Sequence, residues 1–338
     1  MKFTLALSLL ALAPMARGHI GHATPPAGKV VTSEAMTGNG EFRFLTVPGW
    51  GAMPDGVNVG PTHGGVAVDS AGHVYVSTEA EHAVVVFSKD GKFVKSIAPE
   101  CSGLHSLMIA KEGDKEVLWG AHVGSNRVVK LDLDGNILFQ IPNENTGEIP
   151  GGWGGTTAVT PGPDGRIYVA CGYGSSMVHM FDATGKLLKS MGGKGAGDGK
   201  FMTCHGIAID TRKKDEPRLL VCDRENRRLV HLDLDLNWLS VHSTGLRRPC
   251  AVSFNGENCA VAELAGRVTI LDGNGVPVAF LGDQPDRKLR AQKPIPEDQL
   301  YDGLFTSPHG LSYDGDGNLI VQDWNVTGRV TALKHVTE

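Results

Sequence analysis

One structural unit recurs six times along this chain, and a repeat of this kind leaves few folds open. Each unit reads as a short strand, a turn, a strand rich in Val, Ile and Leu, a polar loop, a third strand, a Gly turn and a fourth strand. The second strands run Val74 to Ser77, Val117 to Gly120, Ile167 to Ala170, Leu219 to Cys222, Cys259 to Ala262 and Leu319 to Gln322. Third strands follow at Val84 to Phe87, Val128 to Leu131, Val178 to Phe181, Leu229 to Leu232, Val268 to Leu271 and Val330 to Leu333. Turns such as Asp90-Gly91, Asp134-Gly135, Thr184-Gly185 and Asp272-Gly273 lead into fourth strands, because Gly or Asn tolerates the positive φ of a tight hairpin. Each unit is a four-stranded antiparallel meander of about 40–60 residues, and six of them predict an all-β fold, a six-bladed β-propeller around a central channel. The last unit stops near Leu333 after its third strand, while Phe42 to Val47 is a strand without a unit. The N-terminal strand is therefore predicted to complete the sixth blade and close the ring.

The chain's 338 residues are 41% hydrophobic, enough for a large core, and its 45 Gly and 18 Pro are spread along the whole length as regular turns require. A formal net charge of -5 gives no electrostatic reason to expect nucleic acid or an acidic membrane as partner. Lys2, the apolar stretch Phe3 to Ala13 and the small residues after it have the order of a secretory signal peptide. The expected organisation is a signal peptide over 1–23, a flexible leader over 24–40 and the propeller over 41–338, in a secreted or periplasmic protein. Membrane insertion is not expected, since no segment approaches the ~20 apolar residues of a span. Six cysteines show no CxxC spacing. Cys204 with Cys222 and Cys250 with Cys259 are candidate bridges between neighbouring strands, and buried free thiols are the alternative.

In such a meander the loop entering strand one and the loop joining strands two and three emerge on the same side. Four blades place a histidine at the mouth of the inner strand: His63, His105, His205 and His309. Inner strands line the axis, so these imidazoles are expected to converge at the channel mouth and to bind a metal with a position left for substrate. The plainer reading has them hydrogen-bonding neighbouring loops. The second ring of loops adds Glu79, Glu81 and His82, then His122, Tyr173, Asp223, Arg224 and Glu225, Glu263, and finally Asp323 and Trp324. Tyr173, between glycines, is a candidate acid/base or else an aromatic plug. Arg224 is a candidate anchor for a substrate carboxylate or else a loop-pinning ion pair. The polar insertion from about Asp283 to Ser307 is a candidate lid or a solvated loop, and Asn325-Val326-Thr327 is a formal glycosylation sequon.

The motifs Cys204-His205-Gly206-Ile207-Ala208-Ile209-Asp210, Asp223-Arg224-Glu225-Asn226-Arg227-Arg228 and Pro308-His309-Gly310-Leu311 resemble the NHL-repeat propellers and, among them, the peptidyl-α-hydroxyglycine α-amidating lyases. The resemblance covers roughly residues 60 to 335. It implies that His105, His205 and His309 hold zinc, that Tyr173 is the catalytic tyrosine and that Arg224 is an active-site arginine. The implied reaction cleaves a carbon–nitrogen bond at a metal-polarised hydroxyl, leaving an amide and glyoxylate, on a small molecule or a peptide terminus. Three departures go with it. Glu79 stands where the family has an arginine and is expected to repel a carboxylate substrate. Gly310 replaces the family's calcium-binding Asp, so structural calcium is not expected. His63 adds a possible fourth ligand, which by analogy with four-histidine oxygenase propellers favours iron over zinc. The competing class is a non-catalytic propeller whose polar face binds a ligand or a protein partner.

Overall fold

The computed structural model of the chain describes residues 30–55 and 57–337. The expected signal peptide, 1–23, lies outside the described residues. β1 (Met36–Asn39) and β2 (Phe42–Thr46) come first, followed by a complete blade of β3 (Thr62–Val68), β4 (Val74–Thr78), β5 (Val84–Phe87) and β6 (Phe93–Ile97), paired in chain order. Four more blades repeat that plan on the inner strands Leu104–Glu112, Ala158–Pro161, Cys204–Asp210 and Pro249–Asn255. The sixth is built from Pro308–Tyr313, Leu319–Asp323 and Val330–His335, and β2 then pairs with the last of these, Phe44 opposite His335 and Thr46 opposite Leu333. This is the six-bladed propeller that the repeat predicts, closed by its N-terminal strand.

The strands are apolar without alternation because both faces of each sheet are covered. In the first blade Val74, Val76, Val85 and Phe87 pack against Ile320, Val330 and Ala332 of the sixth. The residues between them, Tyr75, Val84 and Val86, point the other way, onto Leu118, Val129 and Leu131 of the second. Each such side chain, fully buried, contributes ~1.5–3 kcal/mol.

The structure revises some expectations and decides between others. The sheet begins at Met36, inside the segment 24–40 expected to be a leader: β1 folds back on β2 through a two-residue turn at Gly40, with Met36 opposite Leu45. Gly40, at the first position of the two-residue turn with φ +56, supplies the conformation such a hairpin needs, and Asp302 ties down Thr32 and Ser33 ahead of it. Neither candidate disulfide forms, and all six cysteines are buried free thiols. Cys204 lies opposite Asp223, one residue out of step with Cys222, and Cys259 pairs with Phe254, about 13 Å along the strand from Cys250. The insertion 283–307 is a packed strap: Ile295, Leu300 and Phe305 are buried, Phe305 against Phe44 and Leu281. The Asn325 side chain is likewise buried and closes on Thr327, which hides the sequon. No helix among the described residues is long and apolar enough to cross a membrane.

Candidate metal centre

The site is made by an irregularity repeated from blade to blade. Where the inner strand starts, its pairing with strand two slips between Thr62 and Val66, Leu104 and Ser106, Cys204 and Ile207, Pro249 and Ala251, and Pro308 and Gly310. A bulge re-aims the residue it frees. Those residues include His63, His105, His205, Cys250 and His309. In the third blade Thr157 holds the equivalent place, just before the Ala158–Ala170 pair. Glycines beside three of the histidines let the inner strands close on the axis. A Cβ on Gly64 would overlap His309 Nδ1, one on Gly206 the Cys250 carbonyl, and one on Gly310 the Gly64 carbonyl.

The four imidazoles meet. Ring centroids are 4.4 Å apart for His63–His105, 4.7 Å for His105–His205, 4.5 Å for His205–His309 and 5.0 Å for His309–His63. Three are almost fully buried, and His63 is half-buried at the rim. Ligand atoms within 4.8 Å of one another fall into two sets sharing one residue: His63, His105 and His309, and His205, Cys250 and His309. Below them the inner strands enclose a cavity of about 280 Å³, roofed by His105, His205 and His309 and walled by Val66, Leu107, Ile207 and Leu311.

Hydrogen bonds fix the tautomers. His105 Nδ1 lies 2.6 Å from the Thr157 carbonyl and His205 Nδ1 2.9 Å from the Cys250 carbonyl. A carbonyl only accepts, so both Nδ1 atoms carry the proton and both Nε2 atoms present lone pairs. Burial, reinforced by neighbouring positive charge, holds His105, His205 and His309 well below the ordinary histidine range, so they are neutral and ready to ligate.

Both lone pairs point at one oxygen. The Tyr173 hydroxyl is 3.1 Å from His105 Nε2 and 3.0 Å from His205 Nε2, and it accepts a hydrogen bond from Arg224 Nη1 at 3.1 Å. Its ring is 40% exposed at the channel mouth while the hydroxyl reaches inward. Burial pushes the phenol up to about 12, with Arg224 pulling against it. The Arg224 guanidinium is buried and its Nε is held by Glu225, which also binds Arg248. Arg224 thus makes the loop-pinning ion pair and a contact to the phenol together.

The remaining candidates divide. Glu79 joins the site: its Oε1 is 2.8 Å from His63 Nδ1 and its Oε2 2.8 Å from Lys293 Nζ, and Lys293 also sits over the Trp324 ring. Burial alone would raise Glu79, but the hydrogen bonds from His63 and Lys293 outweigh it and hold the carboxyl at about 2. Asp323 is a buried clamp that accepts from the Thr306 and Ser307 N–H groups. His122 Nδ1 accepts from the Ser125 N–H of its own loop, and the half-buried His82 is not in ring contact with the cluster. Cys250 and Lys293 are site residues that reading the sequence missed. Cys250 had a signal, since Pro249-Cys250 stands in the fifth blade where Pro308-His309 stands in the sixth.

Fold and site together define a class: a six-bladed β-propeller with its channel capped on one face by imidazoles. No protein-family model matches the chain. It is 27% identical over 224 residues to NHL repeat-containing protein 3 of Mus musculus, a match covering 61% of this chain and 63% of the mouse protein. The chain therefore spans under two-thirds of that relative's length. Among solved structures it resembles a streptogramin B lyase, with a TM-score of 0.54 and 15% identity over 84% of this chain and 95% of the lyase. It also resembles the gluconolactonase XC5397 of Xanthomonas campestris, with a TM-score of 0.60 and 12% identity over 91% of this chain and 98% of that protein. At these identities the likeness shows the fold, which propeller enzymes share.

Proposed function

We propose that the imidazole cluster is the active site of a metal-dependent lyase, which cleaves a carbon–nitrogen bond at a hydroxylated carbon of a small molecule or peptide terminus. One observation carries the reading. The Tyr173 oxygen faces two imidazole lone pairs at 3.0 and 3.1 Å and already accepts from Arg224, so its single proton serves at most one of them. That surplus of lone pairs in a buried, neutral, nitrogen-rich pocket fits a borderline cation such as zinc. His105, His205 and His309 would hold it, with His63 at the rim.

When bound, the cation supplies Lewis-acid polarisation of the substrate hydroxyl and draws proton density from groups beside it. With the cation and the Arg224 guanidinium favouring its phenolate against burial, Tyr173 would enter deprotonated and accept the proton of that hydroxyl as the carbon–oxygen double bond forms. It returns the proton to the departing amide nitrogen as the carbon–nitrogen bond breaks. For an α-hydroxyglycine the products are an amide and glyoxylate, with no net redox change. Arg224 orients the phenol oxygen and has further donors for a substrate carboxylate. The repulsion expected from Glu79 is offset by Lys293, whose ammonium matches its charge.

Metal analysis of protein purified without added metal, with a glyoxylate-release assay on an α-hydroxyglycine substrate, tests the reading. His205→Ala should lose metal and activity. Tyr173→Phe should keep the metal and lose activity by about 10²–10⁴-fold. Unchanged metal content in His205→Ala, or full glyoxylate release by Tyr173→Phe, overturns it.

A further inference from the structure

We propose that Cys250 is a metal ligand, so that His205, Cys250 and His309 form a nitrogen–sulfur set beside the all-imidazole set of His63, His105 and His309. This rests on the reading of the cluster as a metal centre and adds to it the ligand that sets metal choice.

Position is the first argument. Cys250 is freed by the same slip in pairing that frees the four histidines: Pro249 pairs with Glu263 and Ala251 with Ala262, while Cys250 between them has no partner on strand two. Side chains at this place in the other blades turn to the axis, and the Cys250 thiol lies with the nitrogens of His205 and His309, all within 4.8 Å and all buried. A tetrahedral ion with nitrogen bonds of about 2.0–2.1 Å and a sulfur bond of about 2.3 Å separates its donors by about 3.4–3.6 Å. Rotamer adjustment closes that difference without moving a strand.

The second argument is His309. The equivalent imidazoles of His105 and His205 each bond a carbonyl through Nδ1, but His309 Nδ1 is buried without a partner. Leaving a buried polar atom without a partner destabilises the fold. Coordination through Nδ1 would give that atom the partner that no neighbouring blade supplies. The third is rigidity: the carbonyl of Cys250 anchors His205 Nδ1 at 2.9 Å, so thiol and imidazole are presented as one unit. The thiol's hydrogen bond to the Arg248 carbonyl, at 3.6 Å, is weak and easily given up, and the Arg224 side chain also reaches the sulfur, a cation that can stay beside a bound thiolate.

Five ligand residues exceed the four that a tetrahedral ion takes, and a thiolate among them selects zinc or cobalt over magnesium or calcium. Sulfur binds as thiolate, so the Sγ–H proton passes to solvent as the metal–sulfur bond forms.

Cobalt(II) loading of the full chain tests this. The wild type should show visible ligand-field bands together with a near-ultraviolet thiolate-to-cobalt charge-transfer band. Cys250→Ser should lose the near-ultraviolet band, keep visible bands, release one proton fewer per cobalt bound, and weaken zinc binding at least ~10-fold in chelator competition. X-ray absorption of the zinc-loaded wild type needs no variant and should show a sulfur neighbour at about 2.3 Å. Visible bands without charge transfer, an unchanged spectrum in Cys250→Ser, or a zinc shell without sulfur overturns the assignment and leaves the all-imidazole centre standing. A wild type that gives no visible bands removes the metal centre itself, and this assignment with it.

Discussion

Replacing Glu79 by Gln asks how the fourth imidazole is held. The carboxylate accepts from His63 Nδ1 and from Lys293 Nζ, both at 2.8 Å. Because it can only accept, it places the His63 proton on Nδ1 and leaves the Nε2 lone pair available to the cluster. Glutamine keeps one acceptor oxygen, so it can serve His63 or Lys293 but not both, and it removes the charge that neutralises the lysine. Losing such an outer partner of a metal-ligating histidine costs 10–100-fold in metal affinity, about 1.4–2.7 kcal/mol. The expected loss lies in the upper half of that range, because the Lys293 ammonium stays nearby without its counter-charge. Zinc affinity measured by chelator competition at neutral pH in wild type, Glu79→Gln, His63→Ala and the double variant decides it. If the carboxylate acts through the imidazole, Glu79→Gln has no further effect once His63 is gone. Equal losses in both backgrounds, or no loss in either, would refute the positioning role, and an unchanged affinity in His63→Ala would remove His63 from the ligands. Titration of Glu79 does not confuse the experiment. Its carboxyl is lowered from the ordinary 4.5 to about 2, so the pair's contribution is complete above pH 4.5 and fades only as pH falls from there towards 2.

Phe44, fully buried where β2 closes the ring, should cost about 3–5 kcal/mol as Phe44→Ala, read as a lowered urea midpoint. His179 is buried, its Nε2 has no partner, and burial lowers it to about 4. The unfolded chain takes up that proton near 6.5 and the folded chain does not, so stability should fall as pH drops from 6.5 towards 4. The fall from this group is up to about 3 kcal/mol, and His179→Gln should flatten that limb in urea titrations at stepped pH. Iodoacetamide should add six groups to the unfolded chain without prior reduction, counted by mass, and far fewer to the native protein, since all six cysteines are free and buried.

The fold was legible because a blade is covered on both faces. Unbroken runs such as Val84 to Phe87 mark strands whose alternate residues go to different neighbours, and Gly turns at fixed offsets mark their ends. β1 escaped because it is short and half-exposed, with no apolar run, and its one clear signal, the turn glycine Gly40, sits just before the strand that was recognised. The strap over 283–307 was visible as an insertion but not as a packed one. Its anchoring depends on Lys293 meeting Glu79 across 214 residues, outside the register of the repeat. His122 was placed on the correct face, yet its ring is taken up by its own loop, which no spacing reveals.

The cluster shows why position in a repeat is a better guide than residue type. Searching for histidine finds four members of the ring, whereas aligning the equivalent position in every blade finds six, adding Thr157 and Cys250, whose carbonyls both hold imidazoles. The Thr157 carbonyl in the third blade holds His105 of the second, and the Cys250 carbonyl in the fifth holds His205 of the fourth. Each of these imidazoles is thus aimed by the blade that follows it. The two that lack such an anchor, His309 and His63, flank the seam between the sixth and first blades. There Thr62 hooks onto the backbone of Asp323 and Asn325. At that seam Glu79, itself pinned by the strap, orients His63, and His309 would be held by the proposed metal. If the proposed ion binds there, it would link the two blades that the backbone relay leaves out, so zinc loading should slow amide hydrogen exchange at the junction that closes the ring; unchanged exchange at that seam in zinc-loaded protein would refute it.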